Sequence, residues 1–162
     1  MYLIKTIKKR DPAIRSWPET LLYPGLWAMV FHRPAHFLYK HGLFFLARLI
    51  SQISRFFTGI EIHPGARIGR GVFIDHGMGV VIGETAVVGN DVLMYHGVTL
   101  GATSGEKIQR HPIVGDNVIL GAGAIILGAV RIGAGAKIGA GALVLKDVPE
   151  NGIVMSASGI LR

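Results

Sequence analysis

No cysteine occurs among the 162 residues. That excludes disulfide staples, zinc–thiolate centres and a cysteine nucleophile, and it fits a reducing compartment such as the cytoplasm. Long apolar runs are missing too. The most hydrophobic stretch, 21–50, is interrupted by Pro24, Arg33, Pro34, Lys40 and Arg48. No membrane span is expected from it, and the N-terminus lacks the apolar segment of a signal peptide. Acidic residues are few, 10 against 17 lysines and arginines, which leaves a formal charge of +7. The excess is concentrated in "KTIKKR" (5–10) and otherwise scattered. A positive surface attracts phosphorylated ligands or nucleic acid. Aromatic residues do not interleave with these charges and no nucleic-acid motif is present, so nucleic acid is not an expected partner.

What is plentiful is glycine, with 23 residues, and aliphatic side chains arranged in two different periods. Through "LWAMVFHRPAHFLYK" and "LFFLARLISQISRFF", apolar residues recur at steps of three and four, the mark of amphipathic helices. Gly42 and Gly59 are expected stops, and Pro34 is expected to kink or divide the first helix. From Ile60 onward the step becomes six: Ile62, Ile68, Ile74, then Ile82, Val88, Met94, Leu100, then Val114, Leu120, Ile126, Ile132, Ile138 and Val144. A small or β-branched residue stands two places before most of them, and glycine often follows. Such a period predicts short parallel strands joined by tight turns and stacked as a solenoid, three strands to a coil of 18 residues.

The period fails twice. Ile74 and Ile82 are eight apart, and Leu100 and Val114 are fourteen apart. A solenoid ejects extra residues as loops, and loops on a rigid scaffold often carry function. Both breaks contain histidine: Asp75-His76 in the first, Arg110-His111 in the second. Glu61 precedes His76 by 15 residues, almost one coil, so the two are expected to be neighbours. A carboxylate on one imidazole nitrogen strengthens the other as a base, and an imidazole titrating near neutrality can take a proton from a hydroxyl. Spacing alone leaves His76 between this role and a surface turn. His32, His36, His41 and His63 read as structural, and Asp11, before Pro12, reads as a helix cap.

The stretches "DPA" (11–13), "GIEIHPGARIGRGVFIDHGMGVVIGETAVVG" (59–89), "YHGVTLG" (95–101) and "RHP" (110–112) together resemble the serine acetyltransferases, over about residues 10–148. The resemblance implies a mainly β fold: a left-handed parallel β-helix over 59–148, a small α-helical region at 1–58 before it, and a short tail at 149–162. It implies transfer of acetyl from acetyl-CoA, as co-substrate and without a metal, to the hydroxyl of L-serine for cysteine biosynthesis. By the same resemblance His76 is the general base and Glu61 its partner. Asp11, Asp75, Arg110 and His111 would form the serine pocket. Acetyl-CoA would lie along Ala102, Thr103, Ala122, Lys137 and Ala140, in a groove between subunits of a cytoplasmic homotrimer, with pairing of trimers left open.

Two departures from that family stand out. Gly101-Ala102 replaces its Gly-Gly, which would strain the backbone if φ there is positive. The chain ends "NGIVMSASGILR", with Arg162 where relatives that bind cysteine synthase carry isoleucine, so that complex is not expected. Two other readings stand beside this one: a hexapeptide acyltransferase for a different hydroxyl acceptor, or a homologue without activity. A γ-type carbonic anhydrase would need His76, His96 and His111 to converge on zinc.

Overall fold

The computed structural model describes residues 6 and 10–156. A 3₁₀ turn, Trp17–Leu22, leads into helix α1 (Pro24–Lys40), which an antiparallel partner, α2 (Phe44–Thr58), follows. Gly42 and Gly59 end the two helices at φ 77° and 70°, a conformation that costs glycine little. Pro34 does not divide α1, which runs through it. The segment stays helical because its buried side, with Ala28, Met29 and Ala35, is held against the rest of the chain.

The strands, numbered β1 to β14 along the chain, build three parallel sheets. The first stacks β1 (Glu61–Ile62), β4 (Val81–Ile82), β7 (Thr99–Gly101), β10 (Ile125–Leu127) and β13 (Leu143–Val144). The second stacks β2 (Arg67–Ile68), β5 (Val87–Val88), β8 (Ile113–Val114) and β11 (Arg131–Ile132). The third stacks β3 (Phe73–Ile74), β6 (Leu93–Met94), β9 (Ile119–Leu120), β12 (Lys137–Ile138) and β14 (Ile153–Val154). This is the left-handed parallel β-helix that the six-residue period predicts. Its last strand lies past residue 148, because the final side is shortened: Val148 follows Val144 by four residues instead of six and lies beside Ile132 at an offset of 16, and Val154 then lies beside Ile138 at the same offset.

Register accounts for both irregularities. A regular coil offsets paired residues by 18, as Val81 beside Thr99. Glu61 lies beside Val81 at an offset of 20, so the first break adds two residues. Val87 lies beside Ile113 at 26, so the second adds eight. Neither insertion disturbs the interior. Ile74, Ile82, Leu100, Leu120, Ile126, Ile132 and Ile138 are all buried, each contributing roughly 2 kcal/mol by leaving water, and only Ile68 is half-exposed.

The backbone groups of a coil are divided between its two neighbours: Glu61 N–H reaches Val80 O of the next coil, whereas Gly97 N–H reaches back to Met78 O. The outward half of the first coil, including the carbonyls of Ile62, Pro64 and Ala66, therefore has no strand below it. The helical hairpin supplies donors: Ser51 Oγ to Ile62 O at 2.8 Å, His36 Nδ1 to Pro64 O at 2.8 Å, and the His32 ring to Ala66 O. This explains a reversal in α2. Its inward face is small and polar, with Ala47, Ser51, Ser54 and Thr58, while Phe44, Phe45, Phe56 and Phe57 face outward.

Burial lowers the His32 pKa from 6.5 to about 4. The folded chain therefore refuses a proton that the unfolded chain binds. The stability from neutral His32 is complete above pH 6.5 and disappears as pH falls toward 4. At most about 3 kcal/mol is at stake. Thermal melts across this window are expected to show Tm falling with pH, and less steeply in His32→Asn, whose amide can still donate to Ala66 O. Equal slopes would show that His32 is not the responsible group.

Candidate active site

Residues that follow the third-sheet strands stack at one corner of the prism, against the first sheet. Asp75-His76, Tyr95-His96, Gly121-Ala122 and Gly139-Ala140 succeed one another there, linked by Asp75 N–H to Met94 O, Gly123 N–H to His96 O and Gly141 N–H to Ala122 O. Among the described residues, four non-glycine residues have positive φ. Three of them are Asp91, Asn117 and Asn151, and the fourth is His76, at φ 60°. Asn, Asp and His are the side chains most often found in this left-handed region, and non-glycine residues held there cluster at functional positions. The extra residues between Ile74 and Ile82 thus turn His76 outward, leaving its side chain 72% exposed.

Polar groups gather around it. His76 Nε2 lies 3.8 Å from Asp75 Oδ2, and the His96 ring stands edge-on at 5.9 Å. Asp11 accepts the Tyr23 hydroxyl and the Ala13 N–H, the latter at 2.7 Å. Asp11 therefore closes a local turn and caps neither the 3₁₀ turn at Trp17 nor α1. The Tyr23 bond, then the Ala13 N–H and, more weakly, His76 hold the Asp11 carboxyl below its ordinary range. Burial, followed by Asp11, pushes Tyr23 up to about 12. Glu61 is placed differently from its expected role. Its carboxylate pairs with Arg48 at 3.1 Å and Arg55 at 3.2 Å, both on α2, because β1 faces that helix. The carboxylate closest to the His76 ring is Asp75, within the same break.

Arg110 and His111 belong to the other edge of the first sheet, at the corner between the first and second sheets. The His111 ring is buried and rests on Gly83, where a Cβ would fall 1.9 Å from Cδ2. Thr85 clamps it: the Thr85 N–H reaches Nδ1 at 3.2 Å and Oγ1 lies 2.9 Å from the same nitrogen. That hydroxyl oxygen also accepts the Arg110 and His111 N–H groups, both at 3.1 Å. Nδ1 is thus the acceptor, and the ring proton belongs on Nε2. Burial, with Arg110 next, holds His111 below the usual histidine range. Arg110 pairs with Glu84, which also accepts the Tyr39 hydroxyl at 2.6 Å. Tyr39, Glu84, Thr85 and Arg110 line a cleft of about 860 Å³ with Arg48, His63, Arg67 and Lys107.

The eleven residues singled out in the sequence therefore divide. Asp11, Asp75, His76, Ala122 and Ala140 share one edge of the first sheet, with Lys137 exposed on the strand that leads to it. Arg110, His111, Ala102 and Thr103 share the other, and Glu61 lies on the sheet between them. Ala102 does not have positive φ, so its Cβ introduces none of the strain expected of it. His76, His96 and His111 do not converge within the chain. Tyr23, Tyr39, Glu84, Thr85 and Gln109 carry no six-residue signal of their own. Only the side-chain contacts across 20 residues or more pick out Glu84 and Thr85 from other corner residues.

At pH 7 the His111 imidazole is expected to be neutral with its proton on Nε2, visible in long-range ¹H–¹⁵N correlation spectra. Gly83→Ala should remove that pattern by driving the ring from its seat. An unaltered pattern in the variant would mean that the ring does not rest on Gly83.

A family model described as bacterial transferase hexapeptide (six repeats) matches residues 111–146. The serine acetyltransferase of Bacillus subtilis is 57% identical over 157 residues, which cover 96% of this chain and 72% of that one. Two solved structures overlay closely. A Brucella abortus serine acetyltransferase in complex with coenzyme A gives a TM-score of 0.92 at 42% identity, covering 97% of this chain and 63% of that one. A Neisseria gonorrhoeae serine acetyltransferase in complex with serine gives 0.87 at 44%, covering 97% and 64%. The chain thus spans less than two thirds of those two structures. Repeat, fold and identity across nearly all of its own length agree, and the chain belongs to the serine acetyltransferase family.

Proposed function

We propose that this chain transfers the acetyl group of acetyl-CoA to the hydroxyl of L-serine, in the cytoplasm, giving O-acetyl-L-serine for cysteine biosynthesis. The observation that carries the reading is His76, turned outward at φ 60° beside Asp75 in a two-residue insertion. In this scheme the His76 imidazole takes the serine hydroxyl proton as the oxygen attacks the thioester carbonyl carbon. The tetrahedral adduct collapses, the carbon–sulfur bond breaks, and the imidazolium returns the proton to the CoA sulfur. Asp11 and Asp75 are suited to the serine ammonium group, and Arg110 to its carboxylate. His111, donating through Nε2, suits the same carboxylate. Ala102, Thr103, Ala122, Lys137 and Ala140 are proposed to flank the pantetheine. Glu61 is proposed to orient His76 once released from Arg48 and Arg55.

The distribution of these groups favours a homotrimer. Both corners border the first sheet, whose outward side chains include exposed Val81, Ile125 and Leu143. A threefold axis in front of that apolar face would set the His76 corner of one subunit against the Arg110 corner of the next. The outward phenylalanines of α2 offer further surface for assembly.

His76→Ala should lower turnover about 10²- to 10⁴-fold, the usual contribution of a general base, with an unchanged circular dichroism spectrum. Turnover above a third of wild type in the folded variant would refute the mechanism. Subunit sharing has a separate test. His76→Ala and Arg110→Ala chains, each nearly inactive at low serine, are unfolded together and reassembled. If sites form between subunits, about a quarter of them contain both residues and activity returns. No recovery from mixed assemblies would locate both groups in one subunit's site.

A further inference from the structure

We infer that Tyr39 and Glu84 are positioning residues for the proposed transfer, together aiming the Arg110 guanidinium at the substrate carboxylate; this rests on the serine reading of Arg110. Glu84 follows β4 at the corner opposite His76, and its two oxygens are divided. Oε1 accepts the Tyr39 hydroxyl at 2.6 Å, and Oε2 pairs with Arg110 Nη2. Arg110 Nη1 donates to Glu106 O at 3.1 Å, which fixes the second arm of the guanidinium. The other N–H groups of the fork remain for a ligand. Tyr39 comes from the last turn of α1, so this chain of contacts joins the helical hairpin to the loop that carries Arg110.

Three observations separate the arrangement from an ordinary surface ion pair. The Arg110 and Glu84 side chains are 21% and 30% exposed, against 45% and 56% for the arginines on Glu61. The contact is close-packed, since a Cβ on Gly65 would stand 3.0 Å from Glu84 O and 3.1 Å from Tyr39 Cε1. Among the described residues, Glu84 is also the sole carboxylate lining a cleft that contains Arg48, Arg67, Lys107 and Arg110. Its carboxyl is held below the ordinary range, first by the Tyr39 hydrogen bond and then by Arg110. A free arginine must be ordered each time it binds, whereas one already anchored by a carboxylate loses little further freedom.

The test is steady-state kinetics on the intact chain, with serine varied at saturating acetyl-CoA. Glu84→Gln is expected to raise the KM for serine about ten-fold and Tyr39→Phe about three-fold, with smaller changes in kcat and none in the KM for acetyl-CoA. Because both residues act through Arg110, Glu84→Gln should add nothing to the serine KM of Arg110→Ala. A general loosening of the fold would add in either background. An unchanged serine KM in Glu84→Gln and Tyr39→Phe, while Arg110→Ala alone raises it, overturns the inference and leaves the serine reading intact. A further rise when Glu84→Gln is combined with Arg110→Ala also overturns it, because Glu84 would then touch the substrate itself. If Arg110→Ala leaves the serine KM unchanged, the serine reading of Arg110 fails and the inference fails with it. Should Glu84→Gln not fold, Tyr39→Phe alone and combined with Arg110→Ala carries the same comparison.

Discussion

Every coil is hydrogen-bonded to the next through parallel strands of two or three residues, and this ladder governs what the rest of the chain can do. With Ile82 fixed over Ile62 and Leu100 over Ile82, residues beyond the 18 of a regular coil cannot enter a strand without turning an aliphatic side chain to water. They can only leave at a corner. The two extra residues leave at one edge of the first sheet and the eight at the other. The groups of the proposed chemistry are in those two places.

The proposed base and the proposed carboxylate anchor are presented in contrasting ways. His76 is exposed, and its left-handed backbone conformation aims it. Arg110 and His111 are half-buried or buried, and side chains hold them: Glu84 for the guanidinium, Thr85 for the imidazole. The first arrangement suits a group that must meet two substrates in turn. The second suits a fixed recognition surface, whose donors point the same way before and after binding.

Much of the fold was legible because a six-residue repeat leaves one arrangement for its aliphatic positions. Ile74, Ile82, Ile132 and Ile138 are buried as their spacing requires, and the glycine stops at 42 and 59 have the backbone angles their residue type suggests. The candidate site was legible at the level of the breaks, since loss of period marks where the scaffold yields. Pairings were harder. Glu61 stands almost one coil from His76 in sequence, yet α2 brings Arg48 and Arg55 to it, and nothing in a local pattern announces a helix folding back over the first strand. The same is true of Tyr39, whose partner Glu84 lies 45 residues away. The resemblance supplied roles for Arg110 and His111, which side-chain chemistry alone left open. The expectation about cysteine synthase concerns the residues around Arg162, outside those described.

The carbonyls of the first coil have a consequence of their own. A parallel stack with an open end is a template: any strand offering N–H groups could continue it, and a second solenoid could join end to end without limit. Ser51, His36 and His32 occupy that end with donors that are not part of a strand, so nothing can propagate past them. The small helical hairpin is therefore a stopper. Strand-on-strand continuation is closed at that end, and any association there must use the outward face of the hairpin instead.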